Sequence, residues 1–377
     1  MHAPLKSVIA GLVLCLLLPG AAPAQDATPD FIKTYRAYST AYRQGDLQRA
    51  ADLAQKTLEL AVKELGPDHE KIPVLLINLG HVDLLLGKYD DAEKFLQQAQ
   101  KQIKPGQAGA VDNLVTVHED LANVYTARKQ LDQARTELQQ AVALRSKHSG
   151  ADDPQLAELY GMQARIEAAE KHYAAAEKLL DQGMQILTAK YGKDDNRVAG
   201  YITLRGDVAA MRNDLPAAAA QYLKALTILQ KNLLADDPAV LAMQQKLANL
   251  YIVMGSDKFA EYADAYIAHA ELREGAALPA FIIKPQLPAA GRPDQAWVLL
   301  NMTVTEQGRI TDLKVVEADA PAAITKATLA AAAKWRFKPR IQDGKRLAQV
   351  NTRARIVFRG DKVDVHLGEM GQPDTAQ

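Results

Sequence analysis

An α-solenoid of helix pairs followed by a small α+β domain is the architecture this sequence predicts. Three observations predict it. A small residue returns every 42 positions, as Ala50, Ala92, Ala134, Ala176, Ala218 and Ala260. Apolar residues at three- and four-residue steps fill the intervals. After Leu272 that periodicity stops and a two-residue alternation replaces it. A strict period of this size means stacked copies of one supersecondary unit, each unable to bury its apolar face alone.

Residues 1–24 read as an export signal. His2 to Lys6 is weakly basic, Val8 to Leu18 is apolar, and Pro19-Gly20 and Ala22-Pro23-Ala24 precede Gln25. An uncleaved inner-membrane anchor is the rival. The apolar run makes a helix of roughly 16 Å, about half of a bilayer core, and Pro19-Gly20 stops it. Cys15 is the only cysteine and lies within this segment, so the mature chain has no disulfide or thiol chemistry. Leu14 before it does not suit a lipoprotein cleavage site.

The whole chain carries 45 Lys/Arg and 45 Asp/Glu. The balance is uneven: Phe281 to Gly360 holds 14 basic against 6 acidic residues. Two bodies of different character are implied.

Residues 31–272 contain six repeats. In the second, Leu75, Leu76, Leu79, Val82 and Leu86 form one helical face, Gly87-Lys88 breaks it, and Tyr89, Ala92, Leu96 and Ala99 begin another. The breaker recurs in register as Gly45-Asp46, Lys129-Gln130, Lys171-His172, Asn213-Asp214 and Gly255-Ser256. A second set of turns, at Gly66-Pro67-Asp68, Asp152-Asp153-Pro154, Lys193-Asp194-Asp195 and Asp236-Asp237-Pro238, supplies Asp for capping and Pro for a first helical turn.

This pattern resembles the tetratricopeptide repeat family in its longer, kinesin-light-chain-like form. The resemblance rests on small pairs 12 positions apart: Gly80 with Ala92, Ala122 with Ala134, Ala164 with Ala176, Gly206 with Ala218, Ala248 with Ala260. The end units depart, with Tyr38 at the small position of the first and Asp264 where a large apolar residue is expected in the last. The resemblance implies a concave groove lined by the first helices. One groove position falls on His81, Asn123, Arg165, Asp207 and Asn249. These residues are either a hydrogen-bonding ladder for an extended peptide or an ordinary solvated face.

Residues 273–293 are Pro-rich and aperiodic and read as a linker. Over 294–360 the expected order is strand, hairpin around Gly308, strand, helix, strand. Val298, Leu300, Met302 and Val304 lie on one side of the first strand, and Ile324, Ala327, Ala331 and Trp335 share one helix face. Residues 361–377 read as a polar tail.

The stretch Ala330-Ala331-Ala332-Ala333-Lys334-Trp335-Arg336-Phe337-Lys338-Pro339, with Asp343-Gly344-Lys345 and Arg355-Ile356-Val357-Phe358, is similar to the C-terminal domain of the TonB family. That resemblance implies a periplasmic module capturing a short segment of an outer-membrane receptor by strand addition. The strand Val350 to Arg359 is the expected edge, with Arg353, Arg355 and Arg359 either attracting acidic partner residues or guarding against aggregation.

No HExxH, GxSxG, phosphate-binding loop or dinucleotide glycine pattern is present, so neither catalytic residues nor cofactors are assigned. The scattered histidines suit no metal site, and the basic C-terminal segment lacks the aromatics of a single-strand nucleic-acid surface. The expected partners are proteins or peptides, among them outer-membrane receptor segments, with no nucleic acid and no small-molecule substrate. The expected role is a non-enzymatic periplasmic scaffold linked to TonB-dependent transport. A membrane-anchored energy transducer and an envelope-assembly adaptor are the alternatives.

Overall fold

The computed structural model describes residues 29–270, 274–286 and 295–368. The expected signal segment lies outside these residues. Among them, no helix is long and apolar enough to cross a membrane. The chain divides into two compact units, Met1–Lys190 and Tyr191–Gln377.

The first unit holds α1 (Asp30–Arg43), α2 (Leu47–Leu65), α3 (Ile72–Leu85), α4 (Tyr89–Gln102), α5 (Ala110–Ala127), α6 (Leu131–Ser149), α7 (Pro154–Ala169) and nearly all of α8 (Tyr173–Tyr191). The second holds α9 (Asn196–Met211), α10 (Leu215–Asn232), α11 (Pro238–Val253) and α12 (Phe259–His269), then the C-terminal domain.

The 42-residue period is visible in the backbone as well as in the side chains. Gly45, Gly87, Lys129, Lys171, Asn213 and Gly255 all have φ between 62° and 76°. Each ends the first helix of a pair. The following amide then reaches back five residues, as in Lys88 N–H to the Asp83 carbonyl (2.8 Å) and Gln130 N–H to the Tyr125 carbonyl (2.8 Å). This left-handed closure satisfies orphan carbonyls and reverses the chain at a fixed angle. Asp side chains open later helices: Asp153, Asp195, Asp214 and Asp237 accept from Gln155, Arg197, Ala217 and Ala239 amides.

Ala50, Ala92, Ala134, Ala176 and Ala218 are fully buried; Ala260, in the last helix, is only half-buried. The facing small residues allow close approach. A Cβ on Gly80 would sit 3.2 Å from the Ala92 carbonyl oxygen, and one on Gly206 2.5 Å from the Tyr222 ring. Leu96, Leu121, Leu138 and Leu156 fill the core of the first unit.

The C-terminal domain contains β1 (Leu278–Phe281), β2 (Ala296–Val304), β3 (Ile310–Asp319), α13 (Ala322–Ala332), β4 (Arg336–Lys338), β5 (Arg340–Gln342), β6 (Lys345–Leu347), β7 (Gln349–Arg359) and β8 (Lys362–Gly368). The main sheet is antiparallel in the order β3-β2-β7-β8. Val298, Leu300, Met302, Val304, Ala354, Ile356 and Phe358 form its fully buried face, which shares a core with Ile324, Ala332, Trp335 and Phe337. Val350, in two-residue step with Ala354, Ile356 and Phe358, is instead 65% exposed. Asn351 beside it takes φ 57° at a register shift.

Three segments depart from expectation. Residues 278–281, within the expected linker, form β1 and pair with β4, and Trp335 Nε1 donates to the Ile283 carbonyl at 2.8 Å. Residues 362–368, read as polar tail, form β8. Consequently β7 is an interior strand: β8 pairs with it from Arg353↔Gly368 to Arg359↔Lys362.

Candidate functional site

The polar line on the first helices begins with His81 on α3. Its Nε2 lies 3.0 Å from the Tyr42 hydroxyl on α1, and its Nδ1 lies 3.0 Å from Asp120 on α5. Three repeats are thereby joined, each step covering 39 residues. Asp120 is buried. Burial alone would lower the His81 pKa, but the charge of Asp120 and its hydrogen bond outweigh that and hold it above the ordinary value. Glu119, next to Asp120, is half-buried. Burial, followed by the charges of Asp120 and Glu158, pushes its carboxyl up to about 8.

In the second unit Asp207 on α9 makes the same 39-residue step, accepting from Lys246 on α11. It also accepts from the Tyr222 hydroxyl at 2.5 Å. The Lys246 ammonium lies 5.2 Å from the Tyr222 ring. His81 and Asp207 therefore tie one repeat to the next. Asn123 is half-buried, and Arg165 and Asn249 are exposed, where a ligand can reach them. The partners Tyr42, Asp120 and Lys246 escaped the sequence reading. The signal that could have found them is a separation three short of the period, one helical turn back in the neighbouring repeat.

Glu167, Glu170 and His172 bring their ligand atoms within 4.8 Å of one another. Arg135 already lies against both carboxylates, 2.8 Å from Glu167 and in contact with Glu170. This is an ion-pair network held by a guanidinium.

The second surface belongs to the C-terminal domain. Arg353 and Arg359 are exposed and Arg355 lies over the Trp297 ring at 4.6 Å. All three stand on the solvent face of β7, away from any free edge. This corrects the expected edge at Val350 to Arg359, because the Gly360-Asp361 turn returns the chain alongside it as β8. The outer strands among the described residues are β3 and β8.

The other end of the domain grips the last repeat. Asp264 on α12 accepts from Arg309 (2.8 Å) and Arg336 (2.7 Å). Lys334 bonds Asp257 at 2.6 Å. Arg346 donates to the carbonyls of Ile267 and Ala268, near the open C-terminal end of α12. Tyr266 meets Phe281 edge-on at 5.7 Å, and the Arg336 guanidinium lies 5.8 Å from the Phe259 ring. Gly308, at φ 77°, lets the β2–β3 turn press against β4: a Cβ there would fall 1.9 Å from the Phe337 carbonyl oxygen. The missing apolar residue of the sixth repeat is thus explained by a protein contact rather than by solvent.

Family models match both parts: "Tetratricopeptide repeat" over residues 33–102 and 113–189, and "Gram-negative bacterial TonB protein C-terminal" over residues 289–359. The chain joins a tetratricopeptide-repeat array to a TonB-type C-terminal domain.

The array is similar in fold to apo RapI, with TM-score 0.50 and 14% identity over 63% of this chain and 82% of that one. BtubC (BKLC) from P. vanneervenii aligns at TM-score 0.47 and 17% identity, covering 67% of this chain and 99% of that one. A tetratricopeptide repeat protein from Parabacteroides merdae ATCC 43184 aligns at TM-score 0.45 and 15% identity, covering 64% and 80%. No curated protein sequence matches the chain. Tetratricopeptide arrays and TonB-type domains both bind proteins, and the TonB-type domain is a Gram-negative envelope module.

Proposed function

We propose that this protein is a non-enzymatic periplasmic scaffold that serves TonB-dependent outer-membrane transport through two protein-binding surfaces. The array holds a partner at Asn123 and Arg165 in the first unit, and Asn249 on α11 in the second offers a polar contact of its own. The TonB-type domain receives an extended segment, such as that of an outer-membrane receptor, along β8. Arg353, Arg355 and Arg359 supply a positive field on the adjoining face rather than the edge itself. The observation that carries this reading is the clasp at Asp264, which fixes the last repeat to the TonB-type domain. A segment caught by the sheet and a partner held by α11 are thereby bound to one body.

The clasp also favours a second reading, in which the TonB-type domain is the structural cap of an envelope-assembly adaptor. Photo-cross-linkers placed at Asn249 and at His366 in the full chain, expressed in a Gram-negative host, separate the two. Transport predicts that His366 captures an outer-membrane β-barrel protein. The cap reading predicts capture at Asn249 alone. Recovery of the chain in the cytosol, or capture at neither position, overturns both.

A further inference from the structure

Two carboxylates on the first helices of the opening unit lack a counter-charge among the described residues. Glu119 on α5 and Glu158 on α7 stand 39 residues apart, the step that also joins Tyr42 to His81 and His81 to Asp120. They are thus neighbours across adjoining repeats, near enough for the charge of Glu158 to act on Glu119. Glu119 is half-buried and Glu158 exposed, and no hydrogen bond or ion pair ties either to another described residue. The cations around them are committed elsewhere. Arg145 on α6, which also acts on Glu119, is buried 2.7 Å from Asp112 and 3.8 Å from Asp153. Arg128 is bound to Asp90 and Glu93, and Arg135 to Asp132, Glu167 and Glu170. Arg165 lies seven residues along α7 from Glu158, about 10 Å of helical rise, and bounds the negative stretch. A separate feature of the same helices favours a cation. The rings of Tyr35, Tyr38, Tyr42 and His81 follow one another at centroid spacings of 5.7, 6.1 and 6.0 Å. That run ends at Asp120, which His81 holds and which adjoins Glu119. Aromatic faces attract ammonium and guanidinium groups.

We infer that the array selects a partner segment carrying a lysine or arginine, whose charged end pairs with Glu119 and Glu158 while the rest of the segment lies along Tyr42 and Tyr35. This rests on the reading of the array as a partner-binding surface and adds the sign of the charge it selects. Neighbouring carboxylates repel, and burial penalises the charge on Glu119 further; an entering cation relieves both. Binding is therefore linked to a proton. In the free protein burial, then Asp120 and Glu158, push the Glu119 carboxyl up to about 8, with Arg145 opposing them. A cation beside it favours the ionised form, so the proton leaves as the partner arrives, and affinity rises with pH until about 8. For His81, burial lowers the pKa but Asp120 more than restores it. His81 sheds its own positive charge as pH rises and so works in the same direction. The Tyr38 and Tyr42 hydroxyls, pushed up by burial, stay neutral throughout.

A surface array of random ten-residue peptides, probed with the purified protein, tests the inference. Retained peptides should be enriched in lysine and arginine over the starting set, and raised salt should weaken their retention. Fluorescence anisotropy with the best retained peptide should show affinity rising about tenfold from pH 6 to pH 8. Glu119→Gln should weaken that peptide about tenfold and remove most of the rise with pH. Glu158→Gln, at an exposed position whose change leaves the core intact, should weaken it as well. Peptides retained without charge preference, or chosen for acidic residues, overturn the inference and leave partner binding by the array standing. A basic peptide indifferent to both variants also overturns it. An array that retains no peptide overturns both.

Discussion

Asp264 holds Arg336 at 2.7 Å across 72 residues of chain, joining the last repeat helix to the strand that follows the Trp335 turn. The same carboxylate takes Arg309 from the β2–β3 turn. One acidic side chain therefore anchors two separate elements of the TonB-type domain, and it does so where the repeat pattern calls for an apolar residue.

Asp264→Leu restores the repeat pattern but should destabilise the protein. It strands two guanidinium groups, of which the Arg336 side chain is only 12% exposed. Hydrogen bonds to charged groups contribute about 1.5–3 kcal/mol. Urea unfolding followed by Trp335 fluorescence should show the loss. A gain in stability would mean that the clasp contributes nothing net.

Lys129→Gly should stabilise the array. Lys129 sits at φ 62°; the left-handed conformation costs an L-residue about 1–2 kcal/mol, against about 0.5–1 kcal/mol for glycine's extra chain entropy. A net gain of roughly 0.5–1 kcal/mol is expected from those two terms. Gly45→Ala is the mirror experiment. A Cβ there meets nothing within 4 Å, so any loss of stability reports backbone conformation alone.

Ala134→Leu should destabilise by roughly 1–3 kcal/mol, because Ala134 is fully buried at the close helix contact and overpacking forces neighbours from their rotamers. An unchanged melting temperature would disconnect the 42-residue period from packing.

Glu119→Gln should change the pH dependence of stability. The folded carboxyl titrates at about 8, well above its unfolded value near 4.5. Between these values the unfolded chain releases a proton that the folded chain keeps, so the wild-type protein loses stability as pH rises through that window. Glutamine removes the loss. The variant should gain relative to wild type from pH 5 to pH 8 and then level off. A difference that is constant with pH would contradict the burial of Glu119 beside Asp120 and Glu158.

The array was legible because each repeat uses the same solution at the same place: a buried alanine such as Ala134, and a left-handed corner such as Gly87 or Lys129. The buried rows of β2 and the later part of β7 were legible for a similar reason, since alternation reports a two-sided sheet. Contacts between elements were not. Nothing in the spacing of Asp264 announces Arg309 and Arg336, which lie 45 and 72 residues downstream. β8 alternates Val363, Val365 and Leu367 with Lys362, Asp364 and His366, but the strand is short and follows a glycine that reads as a chain break. β1 was hidden by Pro279, which is tolerated because β1 pairs on only one side.

The wide separations at the clasp set an order of events during synthesis. Corners such as Lys88 to Asp83 close within a few residues, so each early helix pair has its partners as soon as it is made. α12 does not. Asp257, just before it, waits for Lys334, its own Asp264 waits for Arg336, and its terminal carbonyls wait for Arg346. Until those residues emerge, these groups lack their partners from the C-terminal domain, and the last helix pair stays unfinished while the earlier pairs have already closed their corners. A nascent chain halted between Ala270 and Lys334 would hold α12 in that state, the point at which misassembly and proteolysis would begin.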